Sequence, residues 1–164
     1  APKHLKEMFH DENLDYTTIR NYRKEIMEEC LQKNGIELKK GAVELLEFLK
    51  TKNVKRAIAT ATDEERARKY LKQIGLEPYF DKIICATMVE YGKPSPDIYE
   101  YACRQLKLLP EECMAVEDSP NGVLSAYRAG CKVVMVPDQT EPEEALKEIL
   151  YGCVENLLEI RKYF

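Results

Sequence analysis

The stretch MAVEDSPNGVLSAYRAG, residues 114–130, decides how this chain is read. A short apolar run, Met114 to Val116, meets two adjacent acids, Glu117 and Asp118. Ser119-Pro120 follows and opens a helix, because serine caps free N–H groups and proline needs no N–H at the first helical position. Gly130 ends that helix. A strand that runs straight into a capped helix is half of a strand–helix–strand unit, and KVVMV (132–136) supplies the second strand. The acids favour the positive start of the helix, but Ser119 already suits the cap, so the pair is surplus to capping. Two carboxylates leaving one strand end could instead reach a hard cation such as magnesium, which takes few carboxylates, several waters and phosphate oxygens.

The same grammar recurs upstream. Helix-like AVELLEFLK (42–50) precedes VKRAIATA (54–61), a short run ending in small residues. Thr62-Asp63-Glu64-Glu65 has the T-x-x-E form of a capping box, and its helix extends to Ile74 and stops at Gly75. KIICA (82–86) comes next, then a loop, then a helix opened by Ser95-Pro96 with proline at its first position. CMAV (113–116) and KVVMV complete the series, with KVVMV the last strand expected. Short, almost wholly apolar strands alternating with helices predict an α/β fold: a Rossmann-like parallel sheet covered on both faces.

The first residues read differently. Leu5, Met8 and Phe9 recur at helical spacing after Pro2. A second helix is expected from about Thr17 to Lys33, with Ile19, Tyr22, Ile26 and Cys30 on one face and Asn34-Gly35 at its end. The division expected is a helical subdomain over 1–38 and an α/β core over 39–164.

Composition narrows the function classes. With 45% hydrophobic and 33% charged residues in 164, the chain can bury a core and keep a polar surface. A net charge of −4, with both signs interspersed, leaves no basic stripe for nucleic acid. No apolar run approaches the length of a membrane span, and no signal-peptide pattern is visible. The six cysteines include no C-x-x-C pair, and only His4 and His10 could join them in a zinc site. Cys85, Cys113 and Cys131 lie in or beside apolar runs and read as buried thiols of a reducing compartment, the cytoplasm.

In open α/β sheets, ligands bind beyond the carboxyl ends of the strands. Thr60 ends the first run, and its hydroxyl could donate to a phosphate oxygen while nearby N–H groups cradle an anion; it could equally cap the next helix, a role Thr62 fits better. Lys93 sits between Gly92 and Pro94 in GKPSPDIY (92–99), where two prolines stiffen the loop. A lysine held there can neutralise charge on a transferring phosphoryl group, or can be an ordinary solvated lysine.

Order ties these signals together. A hydroxyl after one strand, a Lys-Pro loop after the next, and an acidic pair after the third resemble the haloacid dehalogenase superfamily. The resemblance is to its group containing β-phosphoglucomutase and small sugar-phosphate phosphatases. It is carried by AIATAT (57–62), GKPSPDIY (92–99) and VEDSPNGVLSAYRAG (116–130), with GIELKKGAVELLEFL (35–49) similar to that family's passage from cap to core. The resemblance implies that Thr60 and the Ala61 N–H bind the phosphoryl group, that Lys93 stabilises it, and that Glu117 and Asp118 help to hold Mg2+. Asn121 would line the site, and residues before 39 would belong to a mobile cap that selects substrate.

One part of the family pattern is absent. The resemblance implies a first strand ending in Asp-x-Asp, whose first Asp is the nucleophile and whose second is the acid/base. No Asp-x-Asp pair occurs in residues 1–164. That strand would lie between the runs near 54–59 and 113–116, leaving a slot in the sheet to be filled by an N-terminal segment, a separate peptide or another chain. The activity expected is magnesium-dependent phosphoryl transfer, by a phosphatase or phosphomutase, on a small phosphorylated metabolite, a sugar phosphate for preference. It would proceed through an aspartyl-phosphate on the absent segment, so residues 1–164 alone should be inactive. The alternatives are a non-catalytic binding module and a dehalogenase, the latter having little use for two adjacent acids.

Overall fold

The computed structural model describes residues 15–138 and 141–164. The expected helix with Leu5, Met8 and Phe9 lies outside the described residues. The chain forms two units, one up to Glu37 and one over Leu38–Phe164. In the first, helix α1 spans Tyr16–Asn34. Asp15 caps it by accepting from the Thr17 N–H at 2.9 Å. Gly35 ends it at φ 76°, a left-handed value glycine adopts without strain, and donates its N–H to the Leu31 carbonyl. Ile19, Tyr22, Ile26 and Cys30 are all exposed.

The second unit alternates as the sequence predicts. Helix α2 (Ala42–Thr51) precedes strand β1 (Ala57–Thr60); α3 (Glu64–Gln73) precedes β2 (Lys82–Cys85). Then come α4 (Asp97–Leu106), β3 (Met114–Glu117), α5 (Pro120–Arg128), β4 (Lys132–Met135), α6 (Glu144–Lys147) and β5 (Gly152–Cys153). All pairing is parallel: β1 with β2 from Ala57↔Lys82 to Thr60↔Cys85, β3 with β4 from Met114↔Lys132 to Glu117↔Met135, and β4 with β5. The strands form two sheets, β1-β2 and β3-β4-β5. Among the described residues, β1 and β3 are each paired along one edge only.

Period-two burial explains why these strands read as continuous apolar runs. Val133 and Met135 of β4 pack with Ile98, Ala102, Val123 and Ala126 of α4 and α5. Val134 and Val136 point the other way, onto Leu45, Leu49 and Ile160. In β2, Ile84 joins the first cluster, while Ile83 and Cys85 meet Leu46, Ala67 and Leu71. A strand covered on both faces has no polar positions to spare. Each Val or Ile so buried contributes about 1.5–3 kcal/mol. No described helix is long and apolar enough to cross a membrane. All six cysteines are free, with Cys85, Cys103 and Cys131 buried.

Three local expectations are corrected. The cap of α3 is Asp63, not Thr62: its carboxylate accepts from the Arg66 N–H at 3.1 Å and pairs with the Arg66 guanidinium at 2.6 Å. A carboxylate gains from the helix dipole as a hydroxyl does not. The helix after the Lys93 loop starts one residue late, with Pro96 as its cap and Asp97 first. KVVMV is not the last strand, because the two-residue β5 pairs beyond it; so short a segment leaves no periodicity to read.

Hydrogen bonding by Arg66 holds the Asp63 carboxyl below its ordinary value of 3.8. Its contribution to stability is therefore complete above pH 3.8 and is lost as pH falls through the lower folded value. Asp63→Ala should cost about 1 kcal/mol at neutral pH. Urea unfolding of both proteins should show that deficit shrinking as pH drops below 3.8.

Candidate active site

The carboxyl ends of β1 and β3 are joined by one side chain. Lys93 leaves the loop between β2 and α4, and its ammonium donates to the Ala59 carbonyl of β1 at 3.1 Å. It also pairs with Glu117 Oε1 at the end of β3. The Tyr99 hydroxyl, on the first turn of α4, donates to the same Glu117 oxygen and lies 3.5 Å from Lys93 Nζ. The Tyr99 ring centroid is 5.1 Å from that ammonium, within cation–π range. The pair is sheltered, with 16% of the Lys93 side chain and 6% of the Glu117 side chain exposed. Burial first, then the Glu117 charge, push the Tyr99 phenol far above its ordinary value, so it stays a donor.

The other Glu117 oxygen faces the start of α5. Oε2 accepts from the Asp118 N–H at 3.2 Å and the Ser119 hydroxyl at 3.4 Å. Ser119 caps α5 as predicted, its Oγ accepting from the Gly122 N–H at 3.2 Å. Gly122 is required here, because a Cβ at that position would fall within the Glu117 carboxylate. The motif thus reads physically: the acid turns back beneath the helix start, and the glycine in the helix's first turn leaves room for it.

The remaining expected residues border this network. Thr60 is half-buried, follows Ala59, and accepts from the Thr62 N–H at 3.1 Å through its hydroxyl. Ala61, Asp118 and Asn121 are exposed. The Asp118 carboxylate has no hydrogen-bond or ion-pair partner among the described residues, and no group of three potential metal ligands occurs among them. The structure therefore joins Lys93 to Glu117 directly, and sets Thr60 and Asp118 one residue beyond the atoms that bracket the ammonium. Cavities of about 290 and 430 Å³ border β2 and α4 and contain none of these residues. The convergent polar groups lie apart from those hollows.

Sequence reasoning missed Tyr99 and the Ala59 carbonyl. Tyr99 shares a buried helix face with Ile98, Ala102 and Cys103, so it reads as core. Nothing in its spacing reveals that its hydroxyl emerges at the strand ends.

Removing one member of a buried pair strands the other charge. Lys93→Met should destabilise the protein by about 3–5 kcal/mol, far beyond a surface change. Adding Glu117→Gln should recover part of that loss. Thermal unfolding of the single and double variants checks this, and a Lys93→Met effect below about 0.5 kcal/mol would contradict the geometry.

Comparison with known proteins follows the same lines. The sequence pattern of haloacid dehalogenase-like hydrolases matches residues 3–136. The phosphorylated carbohydrates phosphatase of Thermotoga maritima is 37% identical over 115 residues, covering 69% of this chain and 53% of that protein. Hexitol phosphatase A of Escherichia coli is 40% identical over 108 residues, 66% of this chain and 50% of its own length. The crystal structure of CbbY from Rhodobacter sphaeroides in complex with phosphate superimposes with a TM-score of 0.75 at 27% identity, over 92% of this chain and 68% of that one. The chain spans about half the length of the curated relatives it matches. With its parallel α/β core, its motif order and a match that extends over most of its residues, this chain belongs to the haloacid dehalogenase-like hydrolases.

Proposed function

We propose that this chain carries the phosphate- and metal-binding side of a phosphoryl-transfer site, that of a phosphatase or phosphomutase for a small phosphorylated metabolite of the sugar-phosphate class. The observation that carries this reading is the sheltered Lys93 ammonium, held between the ends of β1 and β3 by Glu117, Tyr99 and the Ala59 carbonyl. A fixed cation at two strand ends suits an anion whose charge shifts during transfer. Thr60, through its hydroxyl, and Ala61, through its N–H, would bind the phosphoryl oxygens, and Lys93 would neutralise them. Asn121 would border the substrate. Two relatives are named for phosphatase activity, one on phosphorylated carbohydrates and one on hexitols, which supports the class.

The donor set fits magnesium. Both groups are carboxylates at one strand end, which suits a hard cation. Asp118 has a carboxylate without a partner among the described residues, and Glu117 Oε2 has only its two longer contacts to give up. Asp118 and Glu117 would hold the ion, with waters and phosphate oxygens completing its shell. When bound, magnesium supplies charge neutralisation at the phosphoryl oxygens.

The reaction also needs a nucleophile, and no Asp-x-Asp pair lies in residues 1–164. A strand paired between β1 and β3, whose facing edges are open among the described residues, would bring that carboxylate beside Lys93 and form the aspartyl-phosphate. Residues 1–38 would form part of a helical cap that selects the substrate, and 39–164 the core. Six free thiols suit a reducing compartment, the cytoplasm.

Turnover of hexose phosphates by the full-length protein, measured against magnesium concentration, tests this reading. Activity should require magnesium, and Asp118→Asn should lower kcat by on the order of 10²-fold while raising the magnesium needed for half-activity. Turnover independent of magnesium would contradict it.

A further inference from the structure

Asp97 ties the Lys93 loop internally, accepting from the Tyr91 N–H at 3.2 Å and from the Ser95 hydroxyl, but the loop has few donors for its own carbonyls. Pro94 and Pro96 have no N–H to give, and the Ser95 N–H is spent on the Gly92 carbonyl at 3.0 Å. The loop's own carbonyls are met instead by two side chains of α5. The Ser125 hydroxyl donates to the Ser95 carbonyl at 2.5 Å, and Arg128 Nη1 donates to the Pro94 carbonyl at 2.9 Å. Ser125 is wholly buried, at 0% exposure. A serine inside a helix commonly turns its hydroxyl back to its own helix; this one crosses to another element. Ser125 and Arg128 are three apart, so they share a face of α5.

We propose that Ser125 and Arg128 are positioning residues, which grip the Lys93 loop by two successive carbonyls and keep its ammonium aimed at the strand ends. The inference rests on the phosphoryl-transfer reading above. Its force comes from where α5 begins. The first turn of α5 packs Gly122 and Ser119 against Glu117, and its second half holds the loop of Lys93. One helix thereby fixes both partners of the buried pair, and the placement of Lys93 does not depend on the ion pair alone. A lysine has a long, flexible stem, so its use against a phosphoryl group depends on where its backbone is anchored. Glycine, alanine or an aliphatic residue at 125 and 128 would still permit the helix, but would leave both carbonyls without these donors.

The test measures p-nitrophenyl phosphate hydrolysis by the full-length protein with magnesium. Arg128→Met keeps the stem and removes the donor at an exposed position, so folding is not at risk; Ser125→Ala does the same in the interior. Each should lower kcat on the order of tenfold, since small misplacements of a reacting group are costly, with KM nearly unchanged; the melting temperature should hold in Arg128→Met and fall by a few degrees in Ser125→Ala, whose buried hydrogen bond is lost. Arg128→Lys, which keeps one donor, should restore most of the loss. Unchanged kcat in both variants, beside a Lys93→Met protein that is folded by circular dichroism yet has lost turnover, would overturn the clamp while leaving the parent reading intact. Equal losses in Arg128→Met and Arg128→Lys would also overturn it. Full activity in Lys93→Met would overturn the phosphoryl-transfer reading and the clamp with it.

Discussion

The buried contact between Glu117 and Lys93 is the constraint that the rest of the site serves. Taking both charges out of water costs several kcal/mol per ion unless good geometry and further hydrogen bonds offset it. The fold supplies those bonds from separate elements: Tyr99 from α4, Ser119 and the Asp118 N–H from the turn into α5, and the Ala59 carbonyl from β1. Gly122 clears the space the carboxylate needs. A contact assembled this way fixes the ends of β1 and β3 relative to the Lys93 loop before any ligand arrives. Such preorganisation is what electrostatic catalysis requires, since groups already aimed need no reorganisation during reaction.

The same arrangement leaves an architectural opening. β1 is half-buried along its length, and Val116, within β3, is 38% exposed, unlike Val133, Val134 and Met135 of β4, which are all buried. Interior parallel strands are normally covered and paired. The edges of β1 and β3 that are unpaired among the described residues end beside Lys93, the same place at which the proposed chemistry needs its nucleophile. One paired strand would complete both.

Much of this was legible in the residues. The alternation of apolar runs with capped helices gave the parallel α/β core, because strands covered on both faces have no choice but to be apolar. Ser119-Pro120 and Asn34-Gly35 marked helix ends correctly because their chemistry is local. Where two local signals competed, the reading slipped: Thr62 and Asp63 both resemble caps, and only the Arg66 contact decides between them. Long-range partners were not legible at all. Tyr99 looks like core, and Ser125 and Arg128 look like ordinary helix residues, until folding brings α5 against the Lys93 loop. The acidic pair, read as equivalent, proved unlike in surroundings: Glu117 is buried and hydrogen-bonded, while Asp118 is exposed.

The account turns on an anion bound at the ends of β1 and β3. Amide NMR of the full-length protein, titrated with inorganic phosphate in the presence of magnesium, tests it most directly. The account predicts that the largest shifts fall on Ala61, Thr62, Lys93 and Asp118, and that they vanish in Lys93→Met under conditions where its remaining amide spectrum is that of the folded protein. Shifts confined to other parts of the core, or none at phosphate concentrations that saturate other phosphoryl-transfer enzymes, would contradict it.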